Sequence, residues 1–518
     1  MPDLPAEPSL KQLRHQARDL QRAVRQGEAA ALAEVAARHP AGHPGASAQQ
    51  GASAQQGVAG FPLSAAQLVV ARRYGFPSWT RLRRYVEVVE RYSRFPERMA
   101  ADSPQDPAGE FLRLGCLSYE DDQPERWAQA RQVLAAHPAI TQLSVYAAAA
   151  AADVPRLRAH LAGDPAAAAR PGGPFRCEPL FYLAYTRHEP ALGADAVLTS
   201  ARLLLEAGAD PNAGYLWHGL PTPFTVLTGV FGEGELGPVR QPRHPHSLAL
   251  ARLLLEAGAD PNDGQALYNR MFEPGNDHLE LLFEFGLGTG DGGPWRARLG
   301  GALDTPEQLV RGQLRWAVTH GMTERVRLLA EHGADLVSPF ADGITPAERA
   351  ATTGHPDLVR FLTERGAAAP DLGPEQRFAA AALAADRAAL GELLAARPGL
   401  AGAVRAARPA LIVWAAAQGR PGSVELLAGL GFDVNAMGRS DVPAEDPWQT
   451  ALHVAAMEGR LDLARTLLRL GADTGLRDQR FGSTPLGWAR YFGQEQLIEL
   501  LAPVTAAEEP AAADGSAR

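Results

Sequence analysis

The chain has 518 residues, of which 46% are hydrophobic and 21% are charged, so a buried core is possible and wholesale disorder is excluded. The only two cysteines, Cys116 and Cys177, are too few for a disulfide scaffold or for a zinc site built mainly of thiolates. The formal net charge of −9 disfavours binding to nucleic acid through overall charge.

The first 98 residues form a basic segment that is helical by pattern. Between residues 9 and 38 apolar side chains recur at intervals of three and four, which is typical of a helix that buries one face. A tandem copy of Gly-Ala-Ser-Ala-Gln-Gln predicts a flexible linker at about residues 40–60. Residues 1–98 carry 14 lysines and arginines against 8 aspartates and glutamates, a net charge of +6, so the remainder carries −15.

This charge asymmetry has two interpretations. A basic domain can contact nucleic acid, and the two short helices predicted around Gly75 have the appearance of a helix-turn-helix. The simpler interpretation is a solvated arginine face, or a basic cap that docks on the acidic remainder. The N-terminus has no apolar core of a secretory signal, and the most apolar run, residues 145–152, is far shorter than the roughly 20 residues that span a bilayer. We therefore expect a cytoplasmic protein that does not enter a membrane.

Internal repetition is the main signal after residue 98. The segment Ala-Arg-Leu-Leu-Leu-Glu-Ala-Gly-Ala-Asp-Pro-Asn at 201–212 recurs unchanged at 251–262, and looser copies follow as far as 463–473. Each copy is an apolar helix that ends at glycine, which adopts a left-handed conformation without a Cβ penalty. A second helix precedes each copy, and these first helices stop about every 33 residues. The predicted stops are Gly321, Gly354, Asp386, Gly419, Gly459 and Gly493, with Asp153 at an earlier turn.

The predicted starts of the first helices also share a pattern. Thr222, Thr345 and Thr484 are each followed by proline, which places a hydroxyl at the N-cap and proline at the first helical position. Thr450 is a variant of this pattern without proline. We therefore predict that these four threonines cap helices.

A unit of about 33 residues, made of helix, turn, helix and a Gly-Ala-Asp loop, resembles the ankyrin repeat. Residues 449–473 follow the family pattern almost throughout, and the resemblance is good over 174–503 but degenerate over 99–173. The segment 71–79 is also similar to a short helical region that precedes the repeats in some bacterial ankyrin proteins. The resemblance implies an all-α fold, a solenoid of about ten or eleven stacked helix-turn-helix units with a small helical N-terminal domain and a disordered tail at 504–518.

The resemblance also implies a function. Ankyrin proteins bind protein partners on the concave surface formed by the first helices and the turns between repeats. Since the solenoid here is acidic, we expect a partner with a basic surface, bound by a monomer. A nucleic-acid-associated regulator that uses the basic N-terminal domain is the alternative, and an enzyme with its site in inserted loops is a third hypothesis.

Catalytic and cofactor motifs are not found in the sequence. Lys11 is the only lysine, so no phosphate-binding Gly-x-x-x-x-Gly-Lys loop is possible, and neither His-Glu-x-x-His nor Gly-x-Ser-x-Gly occurs. His244 and His246, with His218 upstream, specify no third metal ligand and read as loop histidines. We therefore predict no enzymatic activity, no cofactor and no metal.

Insertions interrupt the repeats at 187–199, 232–247 and 436–448, and a glycine-rich irregular stretch covers 286–305. They are either tolerated surface loops or parts of a partner site, because lengthening a loop costs little free energy and loops often carry binding. We expect that 232–247 and 436–448 can be shortened without loss of folding. The candidate partner contacts in or beside these stretches are Trp217, His218, Arg240, His244, His246, Trp295, Arg439, Asp441 and Trp448.

Overall fold

The computed structural model describes residues 4–5, 7–39, 60–96, 98 and 106–505. The linker predicted at about 40–60 falls on residues 40–59, outside the described part, and so does the predicted tail beyond residue 505. The chain divides into two compact units, Met1–Val310 and Arg311–Arg518, and the helix Pro306–Thr319 contains the boundary between them. The all-α class predicted from the sequence is confirmed within each unit.

The first unit consists of helices and one small sheet. Strand β1 (Ser93–Arg94) runs parallel to β2 (Gly214–Trp217), and β2 pairs antiparallel with β3 (Pro223–Thr225). Short 3-10 turns lie at Pro165–Ala169 and Gly300–Ala302. The α-helices are Leu10–Arg25, Ala29–Arg38, Leu63–Arg73, Trp79–Tyr92, Pro107–Gly115, Pro124–Ala136, Ile140–Leu143, Val145–Ala150, Val154–Gly163, Pro179–Tyr185, Ala194–Glu206, Val226–Phe231, Gly237–Arg240, Ser247–Glu256, Gly264–Met271, Asp277–Glu284 and Gly293–Leu299.

The second unit repeats one motif of paired helices. Strand β4 (Met437–Gly438) pairs antiparallel with β5 (Gln449–Thr450), so that Met437 lies opposite Thr450. The helices are Thr323–Glu331, Pro346–Thr352, Pro356–Glu364, Pro374–Leu383, Arg387–Ala396, Leu400–Ala407, Leu411–Ala417, Pro421–Gly429, Ala451–Met457, Leu461–Arg469, Pro485–Tyr491 and Glu495–Leu501. Successive first helices pack on one another, as Leu411–Ala417 does on Ala451–Met457. Each pair thus buries its apolar face against the next pair.

No helix of the described residues has by itself the length and apolar character of a membrane span. The helices Leu400–Ala407 and Leu411–Ala417 meet those criteria only when taken together, and they are bent by 77° at the break between them.

The N-terminal helices bury a core of their own. Leu13, Ala17, Leu20 and Val24 of the first helix are buried, as the spacing of three and four predicts. The helix Trp79–Tyr92 then packs on the repeats of the same unit. Its Val89 shares an apolar cluster with Leu216, Trp295 and Leu299. The ring of Tyr92 meets that of Trp295 edge-on, with centroids 5.0 Å apart. The irregular stretch 286–305 therefore provides part of the docking surface for this helix.

The predicted glycine stops are confirmed, but the aspartate stops are wrong. Gly354 has φ +84° and Gly419 has φ +64°, both in the left-handed region. In the repeat without a glycine, Ala385 takes this conformation with φ +55°, and Asp386 has φ −79°. Asp386 instead caps the next helix by accepting the backbone N–H of Ala389 at 3.0 Å. The turn before Asp153 is built in the same way, because Ala152 has φ +50° and Asp153 caps the following helix.

Three of the four predicted threonine caps are confirmed. Thr345, Thr450 and Thr484 each accept a backbone N–H of the first helical turn. Thr222 does not cap a helix, because the proline after it lies in β3. The cap is Thr225, whose Oγ1 accepts the backbone N–H groups of the next turn at 3.1 and 3.3 Å.

An asparagine joins each of three long loops to the loop of the next repeat. Asn212 Oδ1 accepts the backbone N–H of Asp260 at 2.8 Å, and Asn262 Oδ1 accepts that of Gly288 at the same distance. In the second unit Asn435 Oδ1 accepts the N–H of Asp473, again at 2.8 Å. These bonds satisfy backbone groups that the helices leave unpaired, half-buried at Asp260 and Gly288 and exposed at Asp473.

Candidate functional site

A cavity of about 780 Å³ opens in the first unit. It is lined by the β2–β3 hairpin, by the insertion 232–247, by the helix Gly264–Met271 and by the end of the irregular stretch 286–305. These segments are far apart in the sequence and the stacked repeats bring them together. We call this space the hairpin cavity.

Neutral amide side chains form part of the wall of the hairpin cavity. Gln265, Tyr268 and Asn269 lie on one face of the helix Gly264–Met271, since their spacing is three and four residues. Gln265 and Asn269 are only 8% and 2% exposed. Gln265 Nε2 donates to Asn269 Oδ1 at 2.8 Å, and Asn269 Nδ2 donates to the hydroxyl of Tyr119 at 3.1 Å. The amides are therefore held in fixed orientations.

Asp263, the N-cap of this helix, is a buried carboxylate that also lines the cavity. It accepts the backbone N–H of Ala266 at 2.9 Å and the hydroxyls of Thr225 and Thr228. Burial raises the pKa of Asp263 to about 6, although these hydrogen bonds act in the opposite direction. Within the described ranges, no arginine, lysine or histidine forms an ion pair with it. The negative charge of Asp263 is thus stabilised by dipoles alone.

Aromatic rings form the apolar wall of the hairpin cavity. Tyr119 meets Phe224 edge-on with centroids 4.9 Å apart, and Trp217 lies 6.0 Å from the same ring. Tyr268 also lines the cavity. Leu220, between β2 and β3, also lines the cavity, and its side chain is 47% exposed. Such a mixture of aromatic walls and a few fixed polar groups is typical of a binding pocket.

The charged groups around the hairpin cavity are mostly acidic. Among the described residues that line it, five are carboxylates and one is a guanidinium, that of Arg296. Glu235 contacts the hydroxyl of Tyr268, and Glu120 contacts the imidazole of His218. Clustered charge of one sign in a concave site strengthens the local potential, so this cavity attracts cations. The carboxylates are Glu120, Glu235, Asp260, Asp263 and Asp304.

The insertion 232–247 is anchored by a buried group of charges. Arg270, on the helix Gly264–Met271, is fully buried and pairs with the carboxylate of Glu233. Arg243 donates to Glu233 at 2.8 Å, and Asp277 accepts from Arg270 at 3.1 Å. Removing one partner of a buried pair leaves an uncompensated charge in a medium of low dielectric constant. Glu233 therefore ties the insertion to the next repeat.

Backbone contacts hold the same insertion in place. The backbone N–H of His244 donates to the carbonyl of Val230 at 3.1 Å, and Arg187 donates from Nε to the carbonyl of Pro242 at 2.6 Å. Gly232 has φ +58°, and a Cβ atom there would collide with that same carbonyl group of Pro242. These contacts argue against the expectation that 232–247 can be shortened without loss of folding, and the unfolding of a shortened variant tests it. The insertion is a packed element that supplies Leu236 and Gln241 to the cavity wall.

The structure brings some of the predicted contact residues to the hairpin cavity. Trp217 and Trp295 line it, and His218 borders it through its contact with Glu120. Trp295 is nevertheless buried, and its indole N–H donates to the carbonyl of Asn212 at 2.9 Å. The ring packs against the N-terminal helix Trp79–Tyr92 and also borders the cavity, so a partner contact by Trp295 stays a prediction.

The predicted contact residues of the insertion 232–247, namely Arg240, His244 and His246, do not line the cavity. His244 is 1% exposed, so the prediction that it contacts a partner is wrong. Burial lowers the pKa of its imidazole well below the usual value, and the charge of Arg187 acts in the same direction. The ring of His246 is half-buried and its Nε2 lies 2.5 Å from the carbonyl oxygen of Leu192. Arg240, at the end of the helix Gly237–Arg240, is half-buried.

The remaining predicted residues belong to the second unit. Arg439 Nε donates to Asp441 Oδ1 at 2.8 Å across the tip of the insertion 436–448. The guanidinium of Arg480 lies 3.9 Å from the centre of the Trp448 ring. These half-buried side chains form a surface of this unit, and whether they contact a partner stays a prediction.

Sequence reasoning missed the amide cluster of the hairpin cavity. The signal was the pair Gln265 and Asn269 inside a first helix, at positions spaced by four residues. Other first helices are rich in alanine on their buried faces, as in Val145–Ala150. Two amides in such a place predict a lined cavity rather than a tightly packed helix interface.

Reactive groups other than carboxylates are weak candidates. Cys116 and Cys177 are buried, and burial raises the pKa of each thiol to about 12, so the nucleophilic thiolate is disfavoured. Among the residues that the structure describes, no three histidine, cysteine, aspartate or glutamate side chains gather as a metal site requires.

Family models identify ankyrin repeats in the second unit. One model, ankyrin repeats (3 copies), matches residues 412–509, and another, ankyrin repeats (many copies), matches residues 314–363. The chain therefore contains ankyrin repeats, and the predicted fold class, an all-α ankyrin solenoid, is confirmed.

A curated relative supports the same assignment over a short segment. Protein phosphatase 1 regulatory subunit 27 of Mus musculus is 38% identical over 66 residues, which are 13% of this chain and 43% of the relative. The matched segment thus spans less than half the length of that relative. Ankyrin repeats and a relative named as a regulatory subunit point to binding of protein partners.

Proposed function

We propose that this chain is a non-catalytic scaffold whose hairpin cavity binds part of a protein partner. The cavity itself supports the proposal most directly, because it combines a volume of about 780 Å³ with aromatic walls and fixed polar groups. It lies beside the hairpin and the first helices, where the ankyrin resemblance places the binding surface. Neither Cys116 nor Cys177 is among the described residues that line this cavity, and Asp263 there accepts hydrogen bonds from Ala266, Thr225 and Thr228.

The partner of this proposal presents a basic segment. The five carboxylates of the hairpin cavity face a single guanidinium among the described lining residues, so the complementary surface carries positive charge. Such complementarity accelerates association more than it strengthens the final complex, and salt weakens it. We further propose that the scaffold acts as a monomer.

The mouse relative bears the name of a regulatory subunit of protein phosphatase 1. By our proposal this chain likewise acts by binding, as a regulator or adaptor of the protein that enters its cavity. The region of similarity is too short to transfer the identity of the partner, so the class of partner is defined here by charge alone.

A pair of leucine variants tests the proposed function. Leu220 lines the hairpin cavity and is 47% exposed, so Leu220→Arg places a cation at the site without disturbing the core. Leu143→Arg is the matched control, since Leu143 is 79% exposed and does not line the cavity. Each full-length protein is used to capture partners from a lysate of the source cells, and captured proteins are identified by mass spectrometry.

We expect a partner with a basic segment that the wild type and Leu143→Arg retain and that Leu220→Arg loses. A partner captured equally by both variants contradicts binding at the cavity. Retention of DNA by the wild type, with an affinity that falls steeply as salt rises, instead favours the alternative of a nucleic-acid regulator that uses the basic N-terminal helices.

A further inference from the structure

Resting on the proposed function, we infer that the hairpin cavity receives one arginine side chain of the partner, whose guanidinium reaches the amide cluster of Gln265 and Asn269. Long-range attraction by the carboxylates of the cavity is enough to bring a basic partner surface to it. The fixed amides and rings of the cavity add a specific site for one planar cation.

The walls of the cavity suit a cation in two ways. Tyr119, Trp217 and Tyr268 present aromatic rings, and a cation near the face of such a ring is stabilised by the ring quadrupole. Glu120 and Glu235 are exposed carboxylates among the lining residues. Both the exposed carboxylates and the aromatic rings favour a cation in this cavity.

The amide cluster selects a guanidinium over an ammonium group. The Nε2 of Gln265 is committed to Asn269, and Gln265 Oε1 has no hydrogen-bond donor among the described residues. The carbonyl oxygen of this amide is held by its partner, and both side chains are more than nine-tenths buried. A guanidinium carries five N–H donors in one plane, so it can donate to Gln265 Oε1 while it stays stacked on a ring and paired with a carboxylate.

The guanidinium of the chain's own Arg296 is engaged elsewhere. Its Nη1 donates to the carbonyl of Asp291 at 3.3 Å, at the edge of the irregular stretch 286–305. The carboxylate of Glu235 contacts the hydroxyl of Tyr268, which lies one helical turn from Gln265. A cation bound at Gln265 therefore lies on the same helix face as Tyr268, the residue that Glu235 contacts.

Small probes test the arginine site on the full-length protein. The probes are N-acetylarginine methylamide, its lysine counterpart and its citrulline counterpart, which keeps the shape of arginine but is neutral. Binding is followed through the indole N–H signals of Trp217 and Trp295 in nuclear magnetic resonance spectra. We expect the arginine probe to bind, the lysine probe to bind at least about fivefold more weakly because it makes fewer planar hydrogen bonds, and the citrulline probe to leave both signals unchanged.

Variants then locate the binding site. Gln265→Leu removes the free carbonyl oxygen, and we expect it to weaken the arginine probe about fivefold or more while the lysine probe changes less. Glu235→Gln is the second variant, because Glu235 is exposed and its replacement keeps the size of the side chain even if Gln265→Leu proves poorly folded. Gln132→Leu, at an exposed helical position outside the cavity, is the control and should bind as the wild type does.

Each outcome separates the two proposals. Equal binding of all three probes, or unchanged arginine binding in both Gln265→Leu and Glu235→Gln, overturns the arginine site. If Leu220→Arg still abolishes capture of the partner in that case, the scaffold proposal stands and only the arginine site fails. If the arginine probe binds as expected but no partner depends on the cavity, the site binds free guanidinium compounds and the scaffold proposal fails.

Discussion

The insertions 232–247 and 436–448 are of similar length, and both interrupt the same kind of repeat, yet they are built differently. The first carries Glu233, Gln241 and His244 in buried positions and pairs one carboxylate with a fully buried arginine. The second buries Gly438 at its base, and its residues 439–448 are half-buried or exposed. Its charged pair, Arg439 and Asp441, is half-buried at the surface of this unit.

The difference shows that the length of an insertion does not determine its effect on the free energy of folding. Closing a longer flexible loop adds little unfavourable entropy, and this argument applies to 436–448. In 232–247 the loop also supplies the counter-charge for Arg270, so the helix beneath it depends on the loop. A packed insertion of this kind gives the hairpin cavity a rigid wall.

Replacing each insertion tests this contrast with the largest expected effect. Exchange of residues 233–246 for a short Gly/Ser connection should destabilise the fold by about 4 kcal/mol or more, since Arg270 loses the carboxylate of Glu233 and the packing of the insertion is lost. The same exchange of residues 439–447 should cost about 1 kcal/mol or less. Urea unfolding followed by circular dichroism measures both. Equal losses in the two variants would show that burial of Glu233 does not distinguish the loops.

Single substitutions compare the loss of one carboxylate charge in each insertion. Glu233→Gln should lower the free energy of unfolding by about 3 kcal/mol, because Asp277 alone then neutralises Arg270. Asp441→Asn breaks a surface pair and should cost about 1 kcal/mol or less. Differential scanning calorimetry of both variants is the measurement. A loss for Asp441→Asn as large as that for Glu233→Gln would contradict the distinction between a buried and a surface pair.

The pH dependence of two aspartates should differ in sign. The pKa of Asp263 is raised to about 6 in the folded protein, so the folded state binds its proton more tightly than the unfolded state does. Stability from this group is therefore present below the unfolded pKa and is lost, by about 3 kcal/mol, as the pH rises through about 6. The pKa of Asp441 is lowered: burial alone would raise it, but the pair with Arg439 outweighs burial, so its contribution is lost as the pH falls.

The variants Asp263→Asn and Asp441→Asn isolate these two contributions. Between pH 4 and pH 7, the stability of the wild type relative to Asp263→Asn should fall, whereas its stability relative to Asp441→Asn should not fall. Equilibrium unfolding at each pH gives both differences. A wild type that gains stability relative to Asp263→Asn as the pH rises would show that the folded protein does not raise the pKa of this carboxyl.

Most of the fold follows from local rules. Glycine stops such as Gly354 and threonine caps such as Thr345 depend on the conformation of one or two residues, and the sequence displays them directly. The errors arose where two local choices compete. Ala385, not Asp386, adopts the left-handed conformation, because the side chain of Asp386 caps the next helix. Thr225, not Thr222, caps the helix Val226–Phe231, because strand β3 lies between Thr222 and that helix.

The hairpin cavity is harder to predict because it depends on segments that are distant in the sequence. Trp217 was found because it adjoins an insertion, but nothing local shows that Tyr119 and Asn269 meet, since 150 residues separate them. The sequence places His244 in an insertion and Trp295 in a glycine-rich irregular stretch, and such segments usually lie at the surface. Their burial depends on what packs over them, and single-sequence patterns carry no such information.

The identical segments 201–212 and 251–262 have a consequence for the kinetics of folding. Each ends in an asparagine whose Oδ1 accepts a backbone N–H of the following loop. Because the two segments are identical, either one can pack in the place of the other. Repeat proteins are prone to such misassembly, and a chain docked one repeat out of register is a kinetic trap. The segments that precede the two copies, 187–199 and 232–247, differ in sequence. The buried pair of Glu233 and Arg270 forms only when the repeats are stacked in the native register. The insertion that lines the cavity therefore also distinguishes the two identical segments during folding.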